Sequence, residues 1–166
     1  DYASSGSALS LYKSEAFWRE SKQSILMLHA DIFYDPSILR ETLQDHRKNI
    51  LVVDENYDNA TNDEQVIFGK DSLVDRLEKG PDAQSNLIGE SVAINIYSVE
   101  FLKYYFPYLL SVVTENKTIN WEQTIEGFLK SYPEIQLFYR GIEKRLWVNI
   151  NYLDDFEFAK DTIYPA

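Results

Sequence analysis

The chain has 166 residues, 45% of them hydrophobic, with 27 acidic against 16 basic side chains and a net charge of -11. That length supports one domain with a real core, and the acidity argues against a nucleic-acid backbone or an anionic membrane surface as the main partner. There is no cysteine, hence neither a disulfide framework nor a thiolate metal site, and no apolar run nears the roughly 20 residues that span a bilayer, so a soluble cytoplasmic domain is expected.

Residues 1–8 are small and polar, and Ser4-Ser5-Gly6-Ser7 has a backbone that can approach a ligand closely, although an ordinary terminus reads the same way. Asp1 stands where a start would have Met, and the opening decapeptide resembles the inside of a protein, so a piece of a longer chain is expected. Leu9, Tyr12, Ala16 and Phe17 recur at helical spacing, predicting an amphipathic helix over 9–19. Ile25 to Leu28 form a continuous apolar run, the pattern of a strand buried on both faces. Asp31 follows where such a strand leaves its sheet. Asp35-Pro36 then opens a helix to about His46, Asp35 capping the free N–H groups and Pro36 filling the first helical position.

A second buried run at 50–53 predicts another strand, and the stretch 54–64, dense in Asp and Asn, predicts a surface loop. Residues 66–68 before Gly69 suggest a short strand, 72–79 a helical turn or loop, and Gly80-Pro81-Asp82 a break. The alternation at 91–97 predicts a strand. Ser98 caps the following helix, which continues past Pro107 to 113. A helix over 121–131, strands over 135–139 and 145–150, and a helix over 152–160 complete the chain, with no repeat or linker. The alternation predicts one α/β domain over 1–166, a mostly parallel (mixed) sheet flanked by helices. Asn59-Ala60-Thr61 and Asn116-Lys117-Thr118 match the glycosylation sequon and are read as polar loops, since nothing else points to secretion.

The chemistry concentrates at strand ends, where open α/β sheets bind ligands. Asp31 follows one strand, and Asn149 and Asn151 end another. If the strands share a sheet these oxygens converge, and Mg²⁺ needs only one or two protein oxygens because water and substrate phosphates fill the rest. Taken singly, such residues are more often turn formers or caps, and Asn151 before Tyr152 suits a helix N-cap. Trp121-Glu122 sets an aromatic face beside a carboxylate, which can hold a cationic group with about 0.5–2 kcal/mol from the ring; packing of Trp121 on the core and a helix-dipole role for Glu122 are the commoner reason for such a pair. His29 reads as a core residue and His46 as a solvated one. Lys13, Lys70, Lys103 and Arg145 could each pair a phosphate or simply carry surface charge. No Ser-His-Asp or Cys-His arrangement is arguable.

At these residues the chain resembles the nucleotidyltransferases of the sugar-1-phosphate and phosphocholine cytidylyltransferase type. Residues 24–39, SILMLHADIFYDPSIL, resemble the family's apolar strand ending in Asp and turning into a helix. LWVNINYLDDFEFA at 146–159 is similar to its closing segment, Ile88-Gly89-Glu90 leading into SVAINIYS to its Gly-then-strand core, and Trp121-Glu122 to the aromatic-acid pair of its acceptor-binding helix. The resemblance implies a Rossmann-like fold and transfer of a nucleoside monophosphate from a nucleoside triphosphate to a sugar phosphate or phosphocholine, with release of pyrophosphate. It implies Mg²⁺ held by Asp31 and Asn151, contact of Ser5, Gly6 and Ser7 with the nucleotide, and Trp121 and Glu122 on the acceptor. The last pair and the tyrosines favour a cationic acceptor. Partners would be these small molecules, with no nucleic acid or membrane, and a homo-oligomer is compatible.

One departure is large: the family's Gly-rich loop with its Arg and Lys, which wraps the triphosphate, is not in these 166 residues. The resemblance therefore implies an N-terminally truncated domain, the larger carboxy-terminal part of a longer chain, inactive on its own. Two other readings stay open: a glycosyltransferase-like enzyme using Asp31 on a metal-bound nucleotide sugar, and a non-catalytic interaction domain of the same fold.

Overall fold

Ser7–Lys13 and Glu15–Trp18 form two short helices, α1 and α2, where the spacing predicts one. Ser14 divides them: its hydroxyl donates to the Leu11 carbonyl at 2.6 Å and accepts the Trp18 indole N–H at 2.8 Å, competing with the helical ladder. The computed structural model describes residues 4–56, 64–79 and 86–165. Most of the loop expected over 54–64, the sequon at Asn59 and the break at Gly80-Pro81-Asp82 lie outside the described residues.

Strand β1 (Ile25–Leu28) is followed by the short strand β2 (Ile32–Tyr34) and helix α3 (Pro36–Gln44). Asp35 caps α3 as expected, accepting the Ser37 N–H at 2.8 Å. Strands β3 (Ile50–Asp54), β4 (Gln65–Lys70), β5 (Leu73–Lys79) and β6 (Leu87–Tyr97) come next. Leu73–Lys79 thus form a strand where a helical turn or loop is expected over 72–79; pairing along the whole of β4 overrides a local pattern that suits either state. Helix α4 (Val99–Glu115) carries Pro107, and its cap Ser98 accepts the Phe101 N–H at 3.1 Å. Helix α5 (Glu122–Ser131), strands β7 (Phe138–Gly141) and β8 (Trp147–Asn149), helix α6 (Leu153–Phe158) and a π-turn over Ala159–Ile163 end the chain.

The main sheet runs β1-β6-β3-β7-β5-β4, and β4 returns to pair with β6, so the sheet is partly closed. Among the described residues one of its six pairings, β3–β7, is parallel, and the other five are antiparallel. The expectation of a mostly parallel sheet is therefore corrected to a mixed, mainly antiparallel one: short connections such as Asp71-Ser72 favour hairpins, which the helix–strand alternation of the first half does not reveal. The second expectation to change is β1. It lies at a sheet edge, and Leu26 and Leu28 are 36% and 41% exposed rather than buried.

One face of the sheet carries the larger core, where Leu51, Val53 and Tyr97 meet α4 and α5. There Tyr97 stacks on Phe101 at 4.7 Å, and Phe128 packs edge-on against Phe101 and Tyr105 at 4.9 and 5.0 Å. The smaller core, with Val52, Val92 and Ile94, lies under Ile38 of α3. Glu41 of α3 takes Arg140 at 2.7 Å and Arg145 at 2.6 Å, tying that helix to β7 and to the turn before β8. Arg145 is thereby committed to Glu41.

Candidate active site

β6 does two jobs, and the site lies where it changes from one to the other. Its first half pairs with β4, with Glu90 opposite Val66; its last residues pair with β1, with Ile94 opposite Leu28. Between them the register against β3 slips, from Leu51 opposite Asn95 to Val53 opposite Ser91. Ala93 takes a left-handed backbone (φ 60°) in this bulge, a conformation that costs a non-glycine residue about 1–3 kcal/mol and clusters at functional sites. β1 and β4 diverge at this bend and leave a cavity of about 980 Å³.

Its walls come from every layer: His29 after β1, Asp54 at the end of β3 and Asn56 beyond it, Glu64 and Gln65 at β4, Glu90, Ser91 and Ala93 on β6. Glu122 enters from the start of α5. The β2–β8 ribbon adds Ile32, Trp147, Val148 and Asn149, and the following turn adds Asn151, Tyr152 and Asp155. Asp54 is well fixed, accepting the Trp147 indole N–H at 2.9 Å and the Asn56 backbone N–H at 2.9 Å. Asp155 accepts the N–H groups of Asn151 and Tyr152 at 2.9 and 2.8 Å, so the cap of α6 is built at Tyr152 and Asp155 rather than by the Asn151 side chain.

Asp31 lies in the exposed turn before β2, and its carbonyl accepts the Ile150 N–H at 2.7 Å. With Ile32 opposite Asn149, Asp31 and Asn151 therefore stand at the same end of one two-stranded ribbon. Asn151 lines the cavity; Asp31 is beside it in the chain's geometry but not among the described lining residues. The side-chain oxygen of Asn149 is buried without a partner.

Trp121 is 3% exposed and belongs to the larger core, its indole N–H donating to Nε2 of His29 at 3.3 Å. His29 is thus a partnered residue, as its place after an apolar run suggests, and it also faces the cavity. Glu122 is 7% exposed, and its Oε2 has no hydrogen-bond partner. Burial raises its carboxyl pKa, against the opposing pull of His29, the Ser7 hydroxyl and Lys79. Ser7 accepts the Trp121 N–H at 3.0 Å, and the Gly6 N–H donates to the Lys117 carbonyl at 2.8 Å. Gly6 and Ser7 accordingly brace the start of α5 from behind, and none of Ser5, Gly6 and Ser7 is among the described residues lining the cavity. A Cβ at Gly6 would lie 2.1 Å from the Ile119 carbonyl oxygen. Gly6→Ala is expected to lose about 1–3 kcal/mol of stability; an unchanged urea midpoint would show that the 117–119 backbone gives way freely.

Glu90 faces Asp54 directly across the β3–β6 ladder. Burial, then the charges of Glu64 and Asp54, push its carboxyl up to about 7. A carboxyl raised in the folded state favours folding while protonated. Its contribution is fully present below the ordinary Glu range and is lost as pH rises through about 7. Melting curves from pH 4.5 to 8 should show a loss of about 2–3 kcal/mol that Glu90→Gln removes; parallel pH profiles would refute it. The sequence does not mark Asp54, Glu64, Glu90 or Trp147 as site residues, although Glu90 and Trp147 lie in stretches that carry the family resemblance and Asp54 closes a buried run.

No protein-family model matches the sequence. Among solved structures, the chain is similar to the inositol-1-phosphate CTP transferase from T. maritima, at TM-score 0.73 and 14% identity over 96% of this chain and 63% of that one. The chain has the nucleotidyltransferase fold. A UDP-glucose pyrophosphorylase complexed with UDP-glucose matches at TM-score 0.71 and 15% identity over 98% of this chain and 63% of that one. The CTP:phosphocholine cytidylyltransferase from Streptococcus pneumoniae matches at TM-score 0.62 and 13% identity over 96% and 64%. This nucleotidyltransferase-fold chain thus spans a little under two thirds of the structures it matches. It is a mixed α/β fold with helices flanking the sheet. Among the described residues no helix is long and apolar enough to cross a membrane.

Proposed function

We propose that residues 1–166 form a single nucleotidyltransferase-like domain, the larger carboxy-terminal part of a cytoplasmic enzyme. That enzyme transfers a nucleoside monophosphate from a nucleoside triphosphate to a phosphorylated small molecule, a sugar phosphate or phosphocholine. The observation that carries this is the cavity at the bend of β6, bordered by the end of the β2–β8 ribbon that bears Asp31 and Asn151, in a chain with this fold. The domain is read as a Rossmann-like fold lacking its N-terminal Gly-rich loop, which belongs to the rest of the longer protein, so these 166 residues alone are inactive. A homo-oligomer is compatible with this reading.

The reaction is an in-line displacement. A phosphate oxygen of the acceptor bonds to the α-phosphorus, the bond from that phosphorus to the bridging oxygen breaks, and pyrophosphate leaves with the electron pair. No proton need be removed from an ionised phosphate. Asp31 and Asn151 would hold Mg²⁺, with Asn149, whose buried side-chain oxygen has no partner, within the same strand end. An all-oxygen set with few protein ligands fits that ion. Among the described residues no three His, Asp or Glu side chains are grouped to hold a metal, which leaves water and phosphate as its other ligands. When bound, Mg²⁺ supplies charge neutralisation and orientation of the phosphates. Glu122 holds the acceptor from the wall of the cavity and Trp121 fixes the start of its helix, which Gly6 and Ser7 brace from behind; contact of Ser5, Gly6 and Ser7 with the nucleotide is the part of this reading with least support, since none of the three is among the described lining residues.

Full-length protein with Mg²⁺, the four nucleoside triphosphates and candidate acceptors tests this. Pyrophosphate release is expected with one acceptor class. Nucleotide-sugar cleavage to a nucleoside diphosphate would instead favour the glycosyltransferase reading, and nucleotide binding without turnover the interaction domain.

A further inference from the structure

We propose that Asn95 and Tyr97 are positioning residues for Glu122, holding its carboxylate through water enclosed between β6 and the first turn of α5. The water site stands on geometry alone; its bearing on the acceptor rests on the reading above. Ser91, Ala93, Asn95 and Tyr97 alternate along β6 and share one face of it, while Val92 and Ile94 between them go to the smaller core. Ser91 and Ala93 border the cavity together with Glu122. Asn95 and Tyr97 carry the same face past the cavity wall into the larger core, where Asn95 lies between Leu51 of β3 and Met27 of β1. Tyr97 reaches the start of α5. It packs on Tyr105 at 6.5 Å, the Tyr105 hydroxyl meets that of Thr124 at 2.6 Å, and the Glu122 charge bears on both phenols.

Four polar atoms on this path are buried without a hydrogen-bond partner among the described residues: Oδ1 and Nδ2 of Asn95, the Tyr97 hydroxyl and Oε2 of Glu122. Asn95 and Tyr97 are fully buried, and Glu122 is more than nine-tenths buried. Each group is costly to leave unpaired, and protein interiors satisfy such groups with buried water, which makes about three hydrogen bonds. Asn95 decides the ligand, because it presents an amide donor beside an oxygen acceptor and water serves both. A metal or ammonium cation would take the oxygens and leave Nδ2 unpaired, and an anion would be repelled by Glu122. Donation through water from Tyr97 and the Asn95 amide favours the charged carboxylate. It acts with His29, Lys79 and the Ser7 hydroxyl against burial and against Asp54, Glu64, Glu90 and Asp155, which share the cavity. The carboxylate is so held at the cavity wall in one orientation.

Water–protein cross-relaxation and carboxyl titration by NMR, on full-length protein carrying isotope-labelled glutamate, test this; the Glu122 signal is assigned by its loss in Glu122→Gln. Long-lived water is expected at the Tyr97 ring and the Asn95 amide. Tyr97→Phe, which keeps the ring that stacks on Phe101, and Asn95→Leu should each lower the urea midpoint and raise the proton affinity of Glu122 at least about threefold. Asn95→Ser, with a hydroxyl and room for a further water, should recover much of both; should Asn95→Leu not fold, Tyr97→Phe and Asn95→Ser carry the comparison. With phosphocholine or glucose 1-phosphate, whichever the native protein turns over, Tyr97→Phe should raise KM more than it lowers kcat. Variants as stable as the native protein, the result expected when the deleted groups pair with nothing, would overturn the proposal. So would a Glu122 titration unmoved in both, or the absence of long-lived water. An unchanged KM beside a shifted titration would overturn the positioning role and leave the transferase reading standing. Bound water and a shifted titration in a protein that releases no pyrophosphate from any acceptor would do the reverse, and the water site would stand.

Discussion

Replacing Asp31 by Asn is expected to lower pyrophosphate release by the full-length protein at least about a hundredfold, the scale seen when one preorganised charge-stabilising group is lost. Asn keeps the shape of the side chain and its oxygen but removes the charge that would hold a divalent ion against the triphosphate. Stability should change little. Asp31 is exposed, and the bond that fastens it to the ribbon, from the Ile150 N–H at 2.7 Å, ends on its backbone carbonyl, which the substitution leaves in place. The melting temperature is therefore expected to stay within the range of an ordinary surface change, about 0.5 kcal/mol. A variant that unfolds would assign Asp31 a structural role. A stable variant with full turnover would remove it from the chemistry.

The largest loss of stability is expected from Phe128→Ala. Phe128 is fully buried, with the rings of Phe101, Tyr105, Tyr132 and Tyr108 at 4.9, 5.0, 5.2 and 5.7 Å. Truncation removes the side chain that locks α5 onto α4 and leaves a cavity that rigid neighbours on two helices cannot fill. About 3–5 kcal/mol should be lost, a large part of a typical total of about 5–15 kcal/mol. Because α5 begins at Glu122, the damage reaches the site: acceptor affinity should fall before the protein unfolds globally. Urea denaturation of the variant beside Phe128→Leu checks this, the Leu variant losing less. A loss under about 1 kcal/mol in the Ala variant would show that the aromatic cluster does not anchor the helix.

Much of the local structure was legible in the chain. Asp35 and Ser98 are caps because a short side-chain oxygen just before an apolar helical pattern can take the free N–H groups, and both do. The buried run at 50–53 is a strand with Ile50 to Val53 fully buried, and the region 91–97 lies within the longest strand of the fold. The Asp31 and Asn151 segments could be singled out because an acid or amide just beyond a short strand is a recognisable pattern. Their placement on one ribbon is a matter of pairing over more than a hundred residues.

Other features were hidden for the same reason. Leu26 and Leu28 read as buried because periodicity reports side-chain chemistry and cannot tell a central strand from an edge. Residues 72–79 carry a pattern compatible with helix or strand, and only β4 beside them decides it. Trp121 reads either as an aromatic face for a cation or as a core residue; the core takes its ring, and its N–H donates to His29.

By itself, the amino-acid sequence determined the elements whose signals are local: caps, buried runs and the helical faces, together with an acidity that argues against a nucleic-acid backbone or an anionic membrane surface as main partner. Tertiary structure alone decided the mainly antiparallel sheet, the left-handed bend at Ala93 and the gathering of Asp54, Glu64, Glu90 and Glu122 around one cavity. Those residues are scattered over nearly seventy positions, and no local signal places them beside one another. Strand pairing brings them together, and burial then makes their charges matter.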